Sequence, residues 1–305
     1  MQKGGFRQVS LEETLEIAIG YSDAYAQEHF SQIDSERINY LFRRNRRELE
    51  MVVEELWQEL KNARFRPDDF ELQFGNGGKM EAIEIDNRAM PASLRGFVDR
   101  VDIWKEDGRN YFRVVDYKTG KKDFDYCDVF NGVGLQMLLY LFALEQGGYG
   151  TAAGVQYFPA RVPLMKAEGA LTDEQARLQR RKEWKRRGLL LRDEDVLDAM
   201  DPEDWQRLCA ERRKDGSVTG DLADREQLKL LRRYIFRFLG EMVEDIASGN
   251  VQPNPYTRGS SHDACSFCPY GSICHRETVE GRRNYKTMEP DRFWQEVEKE
   301  VDRRG

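Results

Sequence analysis

A chain of 305 residues with 40% hydrophobic and 34% charged residues is long enough to bury a core without disulfides and too apolar to stay disordered. Its 48 Lys and Arg against 55 Asp and Glu give a formal charge of -7, which argues against a uniformly polyanion-binding surface but leaves room for a local basic track. The longest apolar runs, such as Met137 to Leu144, fall far short of the roughly 20 residues that cross a bilayer. The N-terminal stretch has no signal-peptide core, so a cytoplasmic location and no membrane partner are expected.

Residues 10 to 30 and 35 to 62 are predicted as helices, the second from the amphipathic period of Glu48 to Leu60, with Ser35 as its cap. After Pro67 the pattern changes to short alternating runs, Phe70 to Gly75 and Met80 to Ile85, separated by Gly-Asn-Gly-Gly. Two further strands, Leu94 to Trp104 and Asn110 to Lys118, are joined through Asp107-Gly108, a strong hairpin signal. A helix is predicted from about Val129 to Gln146, ended by Gly147-Gly148, and then a strand from Ala152 to Pro159. The charged stretch from Ala167 to Glu226 has little apolar periodicity and reads as a peripheral insertion. Arg225 to Ala247 forms an amphipathic helix, and the Pro-containing run Gly249 to Tyr256 turns the chain into a cysteine-containing segment. The expected class is α/β, with a central mixed sheet flanked by helices. Its parts are a helical segment 1–66, a core 67–250 with an insertion at about 160–225, and a C-terminal segment 251–305.

The period of two groups Phe97, Asp99, Val101 and Ile103 on one strand face, and Phe112, Val114, Asp116 and Lys118 on the next. Two carboxylates placed among apolar residues beside a lysine suit a shared cation and phosphodiester hydrolysis. The alternative is a plain Asp116–Lys118 ion pair, with Asp99 paired to Arg100 or Arg113. Gln136 and Tyr140, four apart on a helix, share a face. They would serve the same site or fill a helix–sheet contact.

Five cysteines, an odd number at low density, argue against a disulfide framework. Cys265, Cys268 and Cys274 fall in one short stretch that suits zinc, completed by His262 or His275, a redox pair or an iron-sulfur cluster. Cys127 and Cys209 read as isolated thiols. The basic run from Arg177 to Arg187 is either a source of phosphate contacts or a solvated helix face.

The motifs Gly96 to Asp102 (GFVDRVD), Val114 to Gly120 (VVDYKTG) and Gly134 to Tyr140 (GLQMLLY) occur in the order and spacing of the RecB-type branch of the restriction-endonuclease-like nucleases. With Asp69 to Gly75, Ala153 to Phe158 and the terminal cysteines, the chain most resembles the C-terminal nuclease domains of AddB-type subunits over roughly residues 35 to 280. Those proteins are part of AddAB helicase-nucleases, which process double-strand DNA ends for recombination and repair.

The resemblance implies exonuclease-type DNA hydrolysis with Mg²⁺ or Mn²⁺. Asp99 and Asp116 would be metal ligands with the Tyr117 carbonyl, Lys118 the catalytic lysine, and Gln136 with Tyr140 an additional active-site motif. Glu71 is a weaker candidate. So is His29, whose surroundings lack the family's Gly-x-x-x-His setting. The resemblance also implies a [4Fe-4S] cluster on Cys265, Cys268 and Cys274, with a fourth cysteine far upstream. No cysteine precedes Cys127, so the chain is expected to be a piece of a longer subunit that holds that ligand. No Gly-x-x-x-x-Gly-Lys-Ser/Thr phosphate loop is present, so movement along single-stranded DNA is expected to come from an AddA-like helicase-nuclease partner. The rival readings are a noncatalytic DNA-binding or scaffold module stabilised by a metal or cluster, and a zinc protein with no DNA role.

Overall fold

The computed structural model describes residues 8–30, 35–75, 77–162, 182–259, 263–266, 268–274 and 283–303, with 172, 175, 176 and 179. The chain divides into two compact units, the first formed by residues 1–73, 97–124 and 140–225 and the second by 74–96, 125–139 and 226–305. Among the described residues no helix is long and apolar enough to cross a membrane.

The first unit begins with helices α1 (Leu11–Phe30) and α2 (Glu36–Asn62). Ser35 occupies the N-cap of α2, but its side chain makes no capping hydrogen bond. The strands that follow are β1 (Arg66–Phe74), β2 (Ile83–Ile85), β3 (Ala92–Leu94), β4 (Gly96–Glu106) and β5 (Arg109–Lys118). After β5 come α3 (Tyr126–Phe130), α4 (Gln136–Gln146), β6 (Thr151–Pro159), β7 (Arg187–Leu191), α5 (Glu194–Met200), β8 (Ala210–Arg212), β9 (Val218–Gly220) and β10 (Leu222–Ala223).

The main sheet is mixed and has the order β1-β4-β5-β6-β7-β10. β4 and β5 are antiparallel, β5 and β6 parallel, β6 and β7 antiparallel, and β7 and β10 parallel. The β4–β5 hairpin turns at Asp107 and Gly108, both with positive φ, as a two-residue hairpin of the right twist demands. Gly188 in β7 is required by a close approach, since a Cβ there would collide with the Val155 carbonyl. The segment expected as a peripheral insertion thus supplies two strands of the sheet. Leu189, Leu190, Val196, Leu197 and Trp205 from it are all buried. Its apolar residues come in runs too short to show a period, which hides them from the sequence pattern.

A second departure lies between Val129 and Gln146, where the sequence pattern predicts one helix and two form. Gly132 and Gly134 both take left-handed φ, which ends α3 and delays α4 until Gln136. Likewise, Met80 to Ile85 contributes only the short β2. It pairs with β3 in a separate two-stranded sheet.

Beneath the main sheet the first unit carries an ionic core. Arg100 and Asp102 on β4, Arg113 on β5, Arg186, Arg207, Asp201, and Glu55 and Glu59 on α2 are all buried. Glu59 meets Arg113 at 2.8 Å and Arg186 at 2.6 Å, and Asp102 meets Arg113 at 2.8 Å and Arg100 at 2.9 Å. Glu55 bridges Arg186 and Arg207, and Asp201 closes on Arg207. Four guanidiniums and four carboxylates therefore neutralise one another. Burial alone would raise the Glu59 pKa, but Arg186, Arg113 and Arg100 together hold it well below the usual carboxylate range.

The second unit contains β2, β3, α3, the first turn of α4, and the C-terminal elements. These are α6 (Arg225–Ala247), β11 (Tyr256–Thr257), α7 (Gly271–Cys274), β12 (Arg283–Asn284) and α8 (Pro290–Asp302). An aromatic cluster of Tyr126, Phe130, Tyr234 and Phe293 packs α3, α6 and α8 together.

Removing one member of a buried ion cluster leaves uncompensated charge, typically at a cost of about 3–5 kcal/mol. Glu59→Gln is therefore expected to lower unfolding stability in urea by about that amount. An exposed-pair control, Glu226→Gln on the surface partner of Lys229, should change it by less than about 1 kcal/mol.

Candidate functional site

The site begins with the alternation of β4 and β5. Arg100 pairs with Val115 and Asp102 with Arg113 across the hairpin, so these side chains share the ionic face. Asp99 and Asp116, one step further along the same antiparallel register, fall on the other face. Tyr117 returns to the ionic face and accepts a hydrogen bond on its hydroxyl from Arg100 at 2.8 Å. Its backbone N–H donates to Oδ2 of Asp99 at 2.9 Å. One residue thus ties the buried network to the orientation of the Asp99 carboxylate.

Asp116 is 7% exposed, and its Oδ2 meets the Lys118 ammonium at 2.5 Å. Burial raises the Asp116 pKa above 3.8; the Asp99 charge adds to the rise, while Lys118 and Lys122 oppose it. Next to it on the parallel strand, Tyr157 pairs with Asp116 in register. Burial and the Asp116 charge push its phenol up to about 12. The Lys118 side chain keeps 37% of its surface exposed, so it reaches solvent from a partly sealed carboxylate.

Asp99, Asp116, Tyr117 and Lys118 are therefore gathered at the end of the β4–β5 pair. The alternative pairing of Asp99 with Arg100 or Arg113 does not form, because both guanidiniums belong to the opposite face. The expected apolar setting of Asp99 holds for buried Val101, whereas Phe97 is 54% exposed. Gln136 opens α4 and falls in the second unit, and Tyr140 on the same helix falls in the first. Glu71 is exposed on β1 with φ of 48°, a strained backbone for a non-glycine residue. His29 is committed to its own helix: Nδ1 lies 3.1 Å from the Tyr25 carbonyl and the ring stacks on Tyr25.

Sequence reasoning misses a cleft beside the carboxylates. It has a volume of about 280 Å³ and is lined by Lys118, Lys121, Lys122, Arg161, Lys185 and Arg187 among others. Of the basic run with its potential phosphate contacts, Lys185 and Arg187 line this cleft, while Arg186 is buried in the ionic core. Much of the rest of that run lies outside the described residues.

In the second unit Cys265, Cys268 and Cys274 form no disulfide among the described residues, and the last two are exposed. Among the described residues no three or more His, Cys, Asp or Glu side chains form a group that could hold a metal ion. His262 and His275 lie outside the described residues. Cys127 is buried, with its sulfur 2.6 Å from the Lys286 carbonyl. Nearby, Arg258 clasps Asp125 at 2.8 Å and Asp128 at 3.6 Å. Cys209, in the first unit, is buried and its thiol is pushed up to about 12 by desolvation, a neutral core thiol rather than a ligand.

The chain is 32% identical over 285 residues to the B-type subunit of the ATP-dependent helicase/deoxyribonuclease of Clostridium acetobutylicum, covering 89% of this chain and 25% of that protein. The protein of the same description from Moorella thermoacetica is 35% identical over 286 residues, with 89% and 25% covered. That of Clostridium novyi is 31% identical over 318 residues, with 98% and 28% covered. The chain thus spans about a quarter of the length of these relatives. The family profile described as "PD-(D/E)XK nuclease superfamily" matches residues 8–275, and with a mixed α/β sheet presenting an Asp-x-Lys strand end, the chain belongs to the PD-(D/E)XK nuclease superfamily.

Proposed function

We propose that this chain hydrolyses DNA phosphodiester bonds with a divalent metal, as the nuclease part of a larger subunit that processes double-strand ends for recombination and repair. The observation that carries the reading is the pair Asp99 and Asp116, with Lys118 against Asp116 at 2.5 Å, in a chain of this superfamily. The donors suit a hard cation, since Mg²⁺ commonly rests on one or two carboxylates and keeps waters and substrate oxygens for its other positions. Asp116, whose charge is disfavoured by burial, gains most from such a neighbour.

Asp99, Asp116 and the Tyr117 carbonyl would hold Mg²⁺ or Mn²⁺. When bound, the ion neutralises phosphoryl oxygens and makes an attacking water more acidic. The chain's own residues do the rest. Tyr117 N–H fixes the Asp99 carboxylate. Lys118, released from Asp116, orients the water or stabilises the growing negative charge on the phosphorus centre. Gln136, with Tyr140 beside it on the same helix face, is proposed as the additional motif, its amide suited to hydrogen-bond a water or a backbone oxygen of the strand. No step is assigned to Glu71 or His29.

Exonuclease-type action on single strands, fed by an AddA-like helicase partner, is part of the proposal; the relatives are described as subunits of a helicase/deoxyribonuclease, which supports the pairing of DNA hydrolysis with a helicase. Cys265, Cys268 and Cys274 are proposed to bind a [4Fe-4S] cluster, the fourth thiolate supplied from outside this segment, with zinc as the alternative. Three thiols within ten residues suit either, and sites of this kind rarely exist preformed without the metal.

The purified chain is expected to degrade end-labelled single-stranded DNA with Mg²⁺ or Mn²⁺, and Lys118→Ala to lose at least about 100-fold in rate. Binding without cleavage by the wild-type chain would instead favour a scaffold. Elemental analysis should find iron with acid-labile sulfide in anaerobically purified protein. Zinc would replace the cluster assignment, and neither metal would remove both.

A further inference from the structure

The cleft next to Lys118 has a charge that the catalytic proposal leaves unused. In a chain of formal charge -7, its lining includes six cations, Lys118, Lys121, Lys122, Arg161, Lys185 and Arg187, and two carboxylates, Asp123 and Glu183. Four of the cations have nearby acidic partners: Lys118 meets Asp116 at 2.5 Å, Lys121 meets Asp123 at 3.7 Å, Lys185 meets Glu211 at 2.6 Å and Arg187 meets Asp123 at 3.4 Å. Among the described residues Lys122 and Arg161 form no ion pair, and Lys122 acts on Asp116 only through its field. Such a concentration of like charge is costly without a counter-ion and focuses potential into the cavity.

Its position is equally specific. Lys118 and Pro159, both in the lining, pair in register at the carboxyl ends of the parallel strands β5 and β6, the end of an α/β sheet at which ligands are taken up. Arg161 follows β6 directly, and Arg187 opens β7, which pairs with β6 at Tyr157. Three adjacent strands therefore deliver the cations to one side of Lys118. The lining contains one aromatic residue, Tyr157, and it is buried, so no stacking platform for bases is offered.

We infer that this cleft is the backbone subsite for the strand. Lys122, Arg161 and Arg187 hold the phosphodiester groups next to the one being cut, without reading bases. The subsite rests on the hydrolytic reading above, which makes the strand its occupant. It explains how a chain of net negative charge can hold a polyanion: by a local cationic channel running into the carboxylate pair.

The test is fluorescence anisotropy of a labelled single-stranded oligonucleotide against salt in EDTA, using the 305-residue chain. Each lost phosphate contact lowers the slope of log affinity against log salt by about 0.7 for single strands. Arg161→Gln with Arg187→Gln should therefore lower it by about 1.4, and Arg161→Lys with Arg187→Lys should keep most of it. Both arginines are exposed, and circular dichroism verifies the fold. Lys122→Gln gives an independent arm, with an expected drop of about 0.7. The control, Lys229→Gln with Lys299→Gln, removes two exposed surface cations and should leave the slope unchanged. Equal slopes for wild type and the arginine variant, an equal drop in the control, or no binding by the wild-type chain overturns the subsite. Because no cleavage occurs in EDTA, the two readings fail separately. Binding through the cleft without cutting in metal sinks hydrolysis, and cutting with an unchanged slope sinks the subsite.

Discussion

The first unit depends on placing four arginines and four acids out of water at once. Desolvating a guanidinium or carboxylate costs several kcal/mol, and each is tolerable here only because every partner is also present. Glu59 faces Arg100, Arg113 and Arg186 together, so α2, β4, β5 and the Arg186 segment must arrive in one arrangement. An apolar core of the same volume would give comparable stability but would tolerate sliding of α2 on the sheet. The ionic core fixes register instead, and through the Arg100–Tyr117 hydrogen bond that register reaches the Asp99 carboxylate.

The two faces of one hairpin divide the labour. The face bearing Arg100, Asp102 and Arg113 is neutralised internally and carries rigidity. The other face bears Asp99, Asp116 and Lys118, where burial raises the Asp116 pKa against the opposing pull of Lys118. A partly compensated charge of this kind is destabilising in isolation, and on the proposed reading a cation and an anionic strand would offset that cost.

Much of this is legible in the sequence because it is local. The β4–β5 hairpin follows from Asp107-Gly108 between two alternating runs, and α6 from its amphipathic period. The Asp-x-Lys strand end follows from a period of two. The rest depends on distant partners. Glu59 and Arg186 are 127 residues apart, and charged residues on strands read as solvent-facing until their partners are known. The break between α3 and α4 turns on two glycines whose left-handed φ a helical pattern overrides. β7 and β10 are short strands inside a charged stretch, recruited by the sheet edge rather than by their own periodicity. The basic cleft escapes a sequence reading because Lys122, Arg161 and Arg187 come from three separate segments.

Catalysis as proposed here requires the carboxylate pair to be a cation site. Electron paramagnetic resonance of Mn²⁺ titrated into the wild-type chain and into Asp116→Asn tests this without requiring DNA, a helicase partner or turnover. The free-ion signal is expected to be suppressed by the wild-type chain and restored in Asp116→Asn, which keeps the shape of the side chain and removes its charge. Equal Mn²⁺ binding by the two proteins would contradict a cation site at Asp116.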